Sequence, residues 1–530
     1  DIVAAVFQQM FPNTFFCTIP VRKDEGVQKL MFRWAALTKQ LEIAETKLKL
    51  WGERPSVKLG AVMGFGGTST DAIEHFRGQV REVEEEIKQA RNDAWQDSTS
   101  RLTSAFVLFY DQFSATVAAQ SVIHPEDGHI FSTQPAPGPD DINWKALWST
   151  SKSRVVRRVI AFPLLLTIIL FPAGLFSAAI ANINLALCNT YIGSASEWYC
   201  GSAIDQDPGS ILFQLISSSA IPSLLLSVWQ TVVMPHALYS LTLFQADSYL
   251  KSKMDRKIAI YFLMWGFVNV FLGGMLGGML ELANLIADPQ DVLARIGESM
   301  VRAANFFTQF VQLQTLVIAP LAMFQPHGGL WFYFIAMLLH KRCGGCCLLE
   351  RDVNQTWEAK SYRYGREIPI HMLIFLLGTI YCTSSPGILP FCLAYFVGFW
   401  MVRRYQTMYV FERCYESGGL FWPLVFDAII YFLLTFQIFM SAVLITFNAA
   451  LPAGILFITV PAPIFLFRRY CHARFNTTAR YLPLEMADRA PPAILDPALY
   501  ISPPLRHGAA GWHPESRKAW SGYGMATSVV

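Results

Sequence analysis

The stretch WPLVFDAIIYFLLTFQIFMSAVLIT, residues 422–446, contains a single charged side chain, Asp427. As a helix, it is long enough to cross the roughly 30 Å of hydrocarbon in a bilayer. Seven other apolar blocks occur in the chain, at residues 159–181, 211–234, 258–280, 303–323, 368–384, 388–402 and 451–467. The pattern predicts a mostly α-helical, polytopic transmembrane bundle of eight spans over residues 151–475.

Composition agrees with this class, because 53% of the residues are hydrophobic and only 15% are charged. Soluble domains rarely combine those two values. The net charge of +3 is too small to indicate a nucleic-acid partner. The sequence therefore predicts membrane lipids as partners and excludes nucleic acid.

Lysine and arginine cluster in every second loop of the predicted bundle. The clusters fall at residues 152–158, 251–257, 341–366, 403–413 and 468–474, whereas the loops 182–210 and 281–302 are poor in both residue types. Because cytosolic loops carry the excess of positive charge, both ends of this chain are predicted to be cytosolic. The chain begins with Asp1, and we expect further spans upstream of it.

Residues 1–150 have the composition of a soluble domain. A predicted strand at 13–20, helices at 26–52 and 71–97, a strand at 104–110 and a helix at 113–120 make a small α/β domain. Residues 105–109 (AFVLF) match the end of the RNA-recognition signature, but Thr103 stands where a stacking aromatic is needed. We therefore expect an RRM-like fold that binds no RNA, followed by a Pro-rich linker at 134–145. Residues 476–530 are predicted to be a disordered cytosolic tail.

The fourth span, residues 303–323, carries a polar stripe. Helical spacing of three and four residues brings its members to one side of the helix, while Gln314 faces another way. Such a stripe suits a water-filled ion path; the alternative is hydrogen bonding between helices that holds the bundle together. The candidate pore-lining residues are Asn305, Thr308, Gln309, Gln312 and Thr315.

Proline and glycine positions near this span are candidate gating hinges. Pro320 interrupts the helical hydrogen bonding, and Gly328 and Gly329 follow it. Gly273 and Gly277 lie in the third span, where small residues allow close helix packing. The alternatives are a plain loop at 326–329 and purely structural packing of the third span.

Other side chains indicate charge pairing or modification. Asp427 is an intramembrane acid, with a functional role and pairing to an interfacial arginine as open alternatives. Juxtamembrane Cys343, Cys346 and Cys347 fit S-palmitoylation or remain free thiols. Cys188 and Cys200 share a non-cytosolic loop, where a disulfide could form. No enzyme motif occurs, so we predict no catalytic residue, no metal site and no cofactor.

Four passages resemble the OSCA family of hyperosmolality- and stretch-gated cation channels, within the anoctamin-like superfamily. They are AFVLFYDQFSATVAAQ at 105–120, PGPDDINWKAL at 137–147, FVNVFLGG at 267–274 and YESGGLFWP at 415–423. The resemblance implies eleven spans in the whole protein, of which this chain would lack the first three. It also implies a homodimer with one pore per subunit, lined by the first four spans here and by 368–384.

The sequence departs from the family pattern at one functionally important position. The family's sixth span carries glycine hinges and an acidic residue in a pattern like D-G-W-A-G, but residues 314–318 read QTLVI here. Pro320 is the candidate replacement for the hinge. The sequence predicts a mechanosensitive, non-selective, calcium-permeable cation channel of the plasma membrane. The alternatives are a phospholipid scramblase and a non-conducting membrane scaffold.

Overall fold

The computed structural model describes residues 2–52, 54–59, 68–123, 132–170, 227–268, 292–324, 358–491 and 496–506, with single positions at 224, 338, 349, 351 and 354. The chain divides into two compact units. The first comprises residues 1–139, 325–359 and 483–530. The second comprises residues 140–324 and 360–482.

The described elements are mostly helical. In chain order they are α1 (Ile2–Met10), β1 (Phe15–Arg22), α2 (Glu25–Trp51), β2 (Ser56–Leu59), β3 (Thr68–Asp71), α3 (Ala72–Gln96), β4 (Arg101–Phe109), α4 (Gln112–Gln120), α5 (Trp144–Leu147), α6 (Ser151–Leu170), α7 (Met234–Gln245), α8 (Lys251–Trp265), α9 (Val292–Leu313), α10 (Ala319–Phe324), β5 (Lys360–Ser361), α11 (Tyr364–Tyr381), α12 (Ile388–Tyr409), β6 (Phe411–Glu412), α13 (Phe421–Thr446), α14 (Ala450–Thr459), α15 (Pro461–Arg480) and α16 (Leu484–Asp488).

The first unit contains an antiparallel pair of strands and a pair of long helices. Strand β1 pairs with β4, with Thr18 opposite Val107. Helix α2 packs along α3. Helix α3 begins where the Asp71 carboxylate accepts the backbone N–H of Ile73 at 2.8 Å, which satisfies a donor that the first helical turn leaves open.

Two short strands that the sequence did not predict lie between α2 and α3. Strands β2 and β3 pair antiparallel, with Ser56 opposite Asp71 and Leu59 opposite Thr68. Four-residue strands with two apolar positions, as in β2, or none, as in β3, carry little periodic signal. The hairpin therefore escaped sequence analysis.

The described part of the expected disordered tail is ordered. Helix α15 continues to Arg480, α16 follows, and two 3-10 turns occupy Pro497–Tyr500 and Pro503–Leu505. Leu505 is 2% exposed and joins Val27, Val83 and Ile87 in a hydrophobic core of the first unit. Proline fixes the backbone dihedral φ. A Pro-rich segment can therefore be ordered although its sequence has no helical periodicity and resembles that of a flexible segment.

The second unit is a helical bundle with one large apolar core. Its fully buried side chains include Trp265 of α8, Phe307 of α9, Tyr381 of α11 and Tyr395 of α12. Helix α8 packs on α11, and α9 packs on α13. Because the core is shared among α8, α9, α11, α12 and α13, it fixes the polar face of α9 relative to its neighbours.

Candidate functional site

The predicted fourth span is one continuous helical rod with a π-helical segment inside it. The segment Gln314–Ile318 joins α9 to α10, and the flanking residues Leu313 and Ala319 keep right-handed helical dihedrals. Pro320 has no N–H for the carbonyl of Leu316, and its ring would crowd that carbonyl in a regular α-helix. The wider π turn relieves this conflict. Such turns are frequent at functional sites.

The apolar face of α9 anchors the rod in the bundle. Phe307, Phe310 and Val311 are each 0% exposed. The ring of Phe307 lies 5.2 Å from the ring of Tyr381 on α11. Burial of these side chains fixes the rotation of α9 about its own axis, and therefore the direction of its polar face.

Four of the five predicted pore-lining residues are accessible. Asn305 is exposed, whereas Thr308, Gln309 and Gln312 are half-buried. The Thr308 hydroxyl donates to the backbone oxygen of Ala304, within its own helix, at 2.8 Å. The amides of Asn305, Gln309 and Gln312 are therefore the principal polar groups on this face.

Thr315 differs from the other four because it is buried. Its hydroxyl lies 2.7 Å from the Val311 oxygen and 3.2 Å from the Phe391 oxygen of α12. This geometry matches the alternative of hydrogen bonding between helices. The structure thus places Thr315 at a helix contact, at the start of the π-helical segment.

Two further polar contacts hold the rod. Gln314 is 1% exposed, and its Nε2 donates to the Ser227 hydroxyl at 3.2 Å. Gln406 of α12 is also 1% exposed, and its Nε2 donates to the backbone oxygen of Ala322 at 2.7 Å. Sequence analysis did not single out Ser227 or Gln406. For Ser227 the available signal was a hydroxyl inside the apolar block 211–234, which costs free energy unless it is paired. Gln406 lies beyond the block 388–402, so it gave no such signal.

Gln406 belongs to a charged network near the C-terminal end of α12. Its Oε1 accepts from Arg403 at 2.7 Å, and Arg403 forms an ion pair with Glu367 of α11. Arg403 also lies over the ring of Tyr362, 5.4 Å from its centroid. The network orients the Gln406 amide so that its NH2 group faces α10.

A second π-helical segment, Trp229–Val233, precedes α7. Gln230 within it is 1% exposed, and it lines a small cavity together with Phe262, Gly266 and Pro369. The segments Trp229–Val233 and Gln314–Ile318 therefore each combine a widened turn with a buried glutamine.

Asp427 is paired with basic groups of α15. Its Oδ1 lies 2.8 Å from Arg468 Nε and 2.8 Å from His472 Nε2. The arginine pairing is one of the two alternatives that the sequence left open. The contact links α13 to α15 near the end of the apolar stretch, where a charge pair costs less than at the bilayer centre.

A buried carboxylate organises the ends of α8 and α11. Asp255 is 7% exposed, and its Oδ2 accepts the backbone N–H of Gly365 at 2.8 Å and the hydroxyl of Tyr415 at 2.6 Å. Burial raises the pKa of this carboxyl, although both hydrogen bonds oppose the shift. Tyr415 belongs to the passage 415–423 whose sequence resembles the channel family, so that passage has a structural role.

Asp141 caps the start of α8. Its carboxylate accepts the backbone N–H of Ser252 at 2.7 Å and the Ser252 hydroxyl at 2.5 Å. Burial raises the pKa of the Asp141 carboxyl. A side chain of the Pro-rich linker thus satisfies an open N–H in the first turn of α8, whose own N-cap residue, Leu250, makes no side-chain cap hydrogen bond.

Among the remaining predicted residues, Pro320 is exposed in the first turn of α10. Gly273, Gly277, Gly328 and Gly329 lie outside the described residues, as do Cys188, Cys200, Cys343, Cys346 and Cys347. Within the described residues, no group of three or more His, Cys, Asp or Glu side chains is placed to hold a metal ion.

Three helices in the described part of the chain are long and apolar enough to cross a membrane: Ala304–Met323, Phe421–Thr446 and Ala450–Asp488. Together with the paired polar groups inside the bundle, they define a helical integral membrane protein. A family model described as "Calcium-dependent channel, 7TM region, putative phosphate" matches residues 164–444. The chain belongs to this family. A second model, "Cytosolic domain of 10TM putative phosphate transporter", matches residues 1–146.

Curated relatives include hyperosmolality-gated Ca2+ permeable channels 1.3 and 1.8 of Arabidopsis thaliana. They are 27% and 26% identical over 82% and 92% of this chain, which cover 54% and 58% of their own lengths. The CSC1-like protein ERD4 of Brassica juncea is 25% identical over 92% of this chain and 65% of its own length. The chain thus spans just over half to two thirds of these relatives. The family resemblance drawn from the four sequence passages is confirmed.

Proposed function

We propose that this chain contains the pore of a stretch-gated, non-selective cation channel that passes calcium. The observation that carries the proposal is the accessible polar face of α9, at Asn305, Thr308, Gln309 and Gln312, next to a π-helical segment. Neutral amides and hydroxyls can replace part of an ion's hydration shell without binding the ion too tightly to leave. The names of the relatives, which describe hyperosmolality-gated Ca2+ permeable channels, support the same function.

Gating follows from the contacts that hold the rod. Membrane tension favours the state with the larger in-plane area, and it can only shift an equilibrium between two states that differ. In the present state, Gln406 holds the end of α10, and Gln314 holds the π-helical segment. Opening would break one or both of these hydrogen bonds, and α10 would pivot at Pro320. Water would then reach the face of α9.

The surrounding architecture is part of the proposal. Eight spans with both chain ends in the cytosol account for the alternating positive charge. The β1–β4 pair with α4 supports an RRM-like domain at residues 1–150, which binds no nucleic acid. The functional unit is a homodimer in the plasma membrane, with lipids and permeant cations as its partners.

Pressure-clamp recording of the full-length protein tests the pore. We expect Gln309→Leu and Gln312→Leu to lower single-channel conductance, because each replaces a polar group on the ion path by an apolar one. Gln437→Leu on α13 is the matched control: Gln437 is 5% exposed, and its Oε1 has no hydrogen-bond partner among the described residues. Unchanged conductance in the double variant Q309L/Q312L would exclude α9 as the pore helix.

A lipid assay separates a channel from a scramblase. Dithionite bleaching of labelled phospholipid in proteoliposomes is expected to stop at the outer leaflet, with or without osmotic stress. Bleaching of both leaflets without stretch-activated current would replace the channel proposal by lipid transport along the same polar face.

A further inference from the structure

The segment Asp496–Arg506, which we call the C-terminal strap, is seated on the long helices of the first unit. Its two turns follow each other at Pro497–Tyr500 and Pro503–Leu505. Leu505 packs against Val27 of α2 and against Val83 and Ile87 of α3. The strap therefore fills an apolar groove with a side chain from the far end of the chain.

Polar contacts fix the strap at three points. Arg91 Nε donates to the backbone oxygen of Pro504 at 2.8 Å. The Tyr500 hydroxyl donates to the backbone oxygen of Pro137 at 3.1 Å. The Ser502 hydroxyl donates to Asp24 Oδ2 at 2.5 Å, and Ser502 and Asp24 are 4% and 1% exposed.

Ser502 combines two properties that bear on modification. It precedes Pro503, and Ser-Pro occurs in this chain only here and at Ser385-Pro386. Its own φ of −59° and ψ of 138° are extended. The Ser385 pair lies in the turn between α11 and α12, inside the apolar region. Ser502 is therefore the serine of this chain, outside the spans, that presents the motif of proline-directed Ser/Thr kinases.

We propose that Ser502 is a phosphorylation site for a proline-directed Ser/Thr protein kinase, and that its phosphorylation releases the C-terminal strap from the α2–α3 groove. The kinase supplies MgATP. The Ser502 Oγ forms a bond to the γ-phosphorus, the bond from that phosphorus to the β,γ-bridging oxygen breaks, and ADP leaves. The hydroxyl proton passes to the kinase's catalytic carboxylate.

Release follows from the loss of the buried hydrogen bond and from charge. Phosphoserine has no hydroxyl proton to donate to Asp24, and it places about −1.5 to −2 charges beside that carboxylate. The guanidinium groups in the strap region, of Arg91 and Arg506, donate to the backbone oxygens of Pro504, Ile501 and Leu499. A phosphate that recruited these donor atoms would break bonds that shape the docked strap.

Burial of Ser502 makes the rate of phosphorylation a measure of strap opening. A kinase can reach the hydroxyl only in the undocked fraction, so its apparent rate scales with that fraction. Arg91→Ala removes one anchor without touching Ser502. Since a hydrogen bond contributes about 1 kcal/mol, we expect the undocked fraction to rise about fivefold.

The first experiment treats purified full-length protein with a proline-directed kinase and MgATP, and it quantifies phosphate at Ser502 by peptide mass spectrometry. We expect phosphate at Ser502 in the wild type, a rate about fivefold higher in R91A, and none in P503A. Arg81→Ala is the matched control, because Arg81 is exposed on the same helix. Absence of phosphate at Ser502 in R91A, under conditions that modify the peptide DPALYISPPLR, would overturn the proposal.

The second experiment compares hydrogen exchange in the strap before and after phosphorylation. The protected amides include Ile501, which donates to the Ala498 oxygen, and Leu505, which donates to the Ser502 oxygen. We expect exchange of these amides to become at least tenfold faster in the phosphorylated protein. Unchanged protection with Ser502 phosphorylated would show that the phosphate does not release the strap. Neither readout depends on ion conduction.

Discussion

Gly365 is the position where one added methyl group should damage the second unit most. It lies in the first turn of α11, and its N–H donates to Asp255 Oδ2. A Cβ at this position would lie 2.2 Å from the Asp255 backbone oxygen and 2.5 Å from Asp255 Oδ1. Because the nearer atom belongs to the backbone of α8, no change of side-chain rotamer relieves the contact. Helix α11 or α8 must move by about an ångström.

The cost of Gly365→Ala can be estimated from two contributions. Forcing an extra methyl into a packed contact costs about 1–3 kcal/mol. Separating the helices also weakens the hydrogen bond from Gly365 to a carboxylate, worth about 1.5–3 kcal/mol. The sum, about 2.5–6 kcal/mol, is large against the 5–15 kcal/mol that separates native from unfolded states in typical domains.

The measurement is the apparent unfolding midpoint of the purified protein in detergent, followed by intrinsic tryptophan fluorescence. We expect G365A to lower the midpoint by at least about 5 °C. The control is Gly398→Ala in α12, where an added Cβ meets nothing within 4 Å. Alanine is the better helix former, so G398A should leave the midpoint unchanged or raise it slightly. Equal midpoints for G365A, G398A and the wild type would refute the reasoning.

Three further predictions concern named contacts. Gln406→Leu removes the hydrogen bond to the Ala322 oxygen and should favour opening by about 0.6–1.7 kcal/mol, seen as a lower pressure threshold in patch recordings; a higher threshold would contradict the proposal that Gln406 holds α10 in the closed state. Asp427→Asn should lower the free energy of unfolding by about 1–2 kcal/mol after allowance for solvent screening. A double-mutant cycle with Arg468→Met should show a coupling free energy, whereas additive effects would show that the ion pair does not contribute to stability. Burial raises the pKa of Asp24, so the protonated carboxyl favours the folded state. This stabilisation is full below the ordinary pKa of about 4 and is lost as pH rises through the folded-state pKa. The unfolding midpoint of Asp24→Asn, measured relative to the wild type, should therefore be higher at pH 7 than at pH 4.5. The opposite trend would exclude this cause.

Local features of the sequence predicted the long elements well. The apolar blocks at 303–323 and 422–446 correspond to the rod that ends in α10 and to α13. The predicted helices at 26–52 and 71–97 match α2 and α3 to within about one residue at each end. Such features depend on periodicity, end-capping residues and segment length, all of which are local.

The spacing of the polar stripe predicts the direction of each side chain on α9, but it does not predict what that side chain contacts. Helical spacing placed Thr315 on the same side as Asn305 and Gln312, yet Thr315 is 9% exposed and bonded to α12. Gln314, which the spacing directed elsewhere, bonds Ser227. Spacing gives the direction of a side chain from its own helix axis, but the neighbouring helix determines what lies in that direction.

The amino-acid sequence by itself determined the membrane class, the family and the position of the main helices, because burial in lipid requires long apolar blocks, which are visible in the sequence. Only the tertiary structure decided that Gln406 holds α10, that Asp255 joins the starts of two helices to Tyr415, and that Ser502 is seated on Asp24. Each of these contacts joins residues far apart in the chain. Their partners are chosen by the packing of whole elements, and no local pattern encodes that choice.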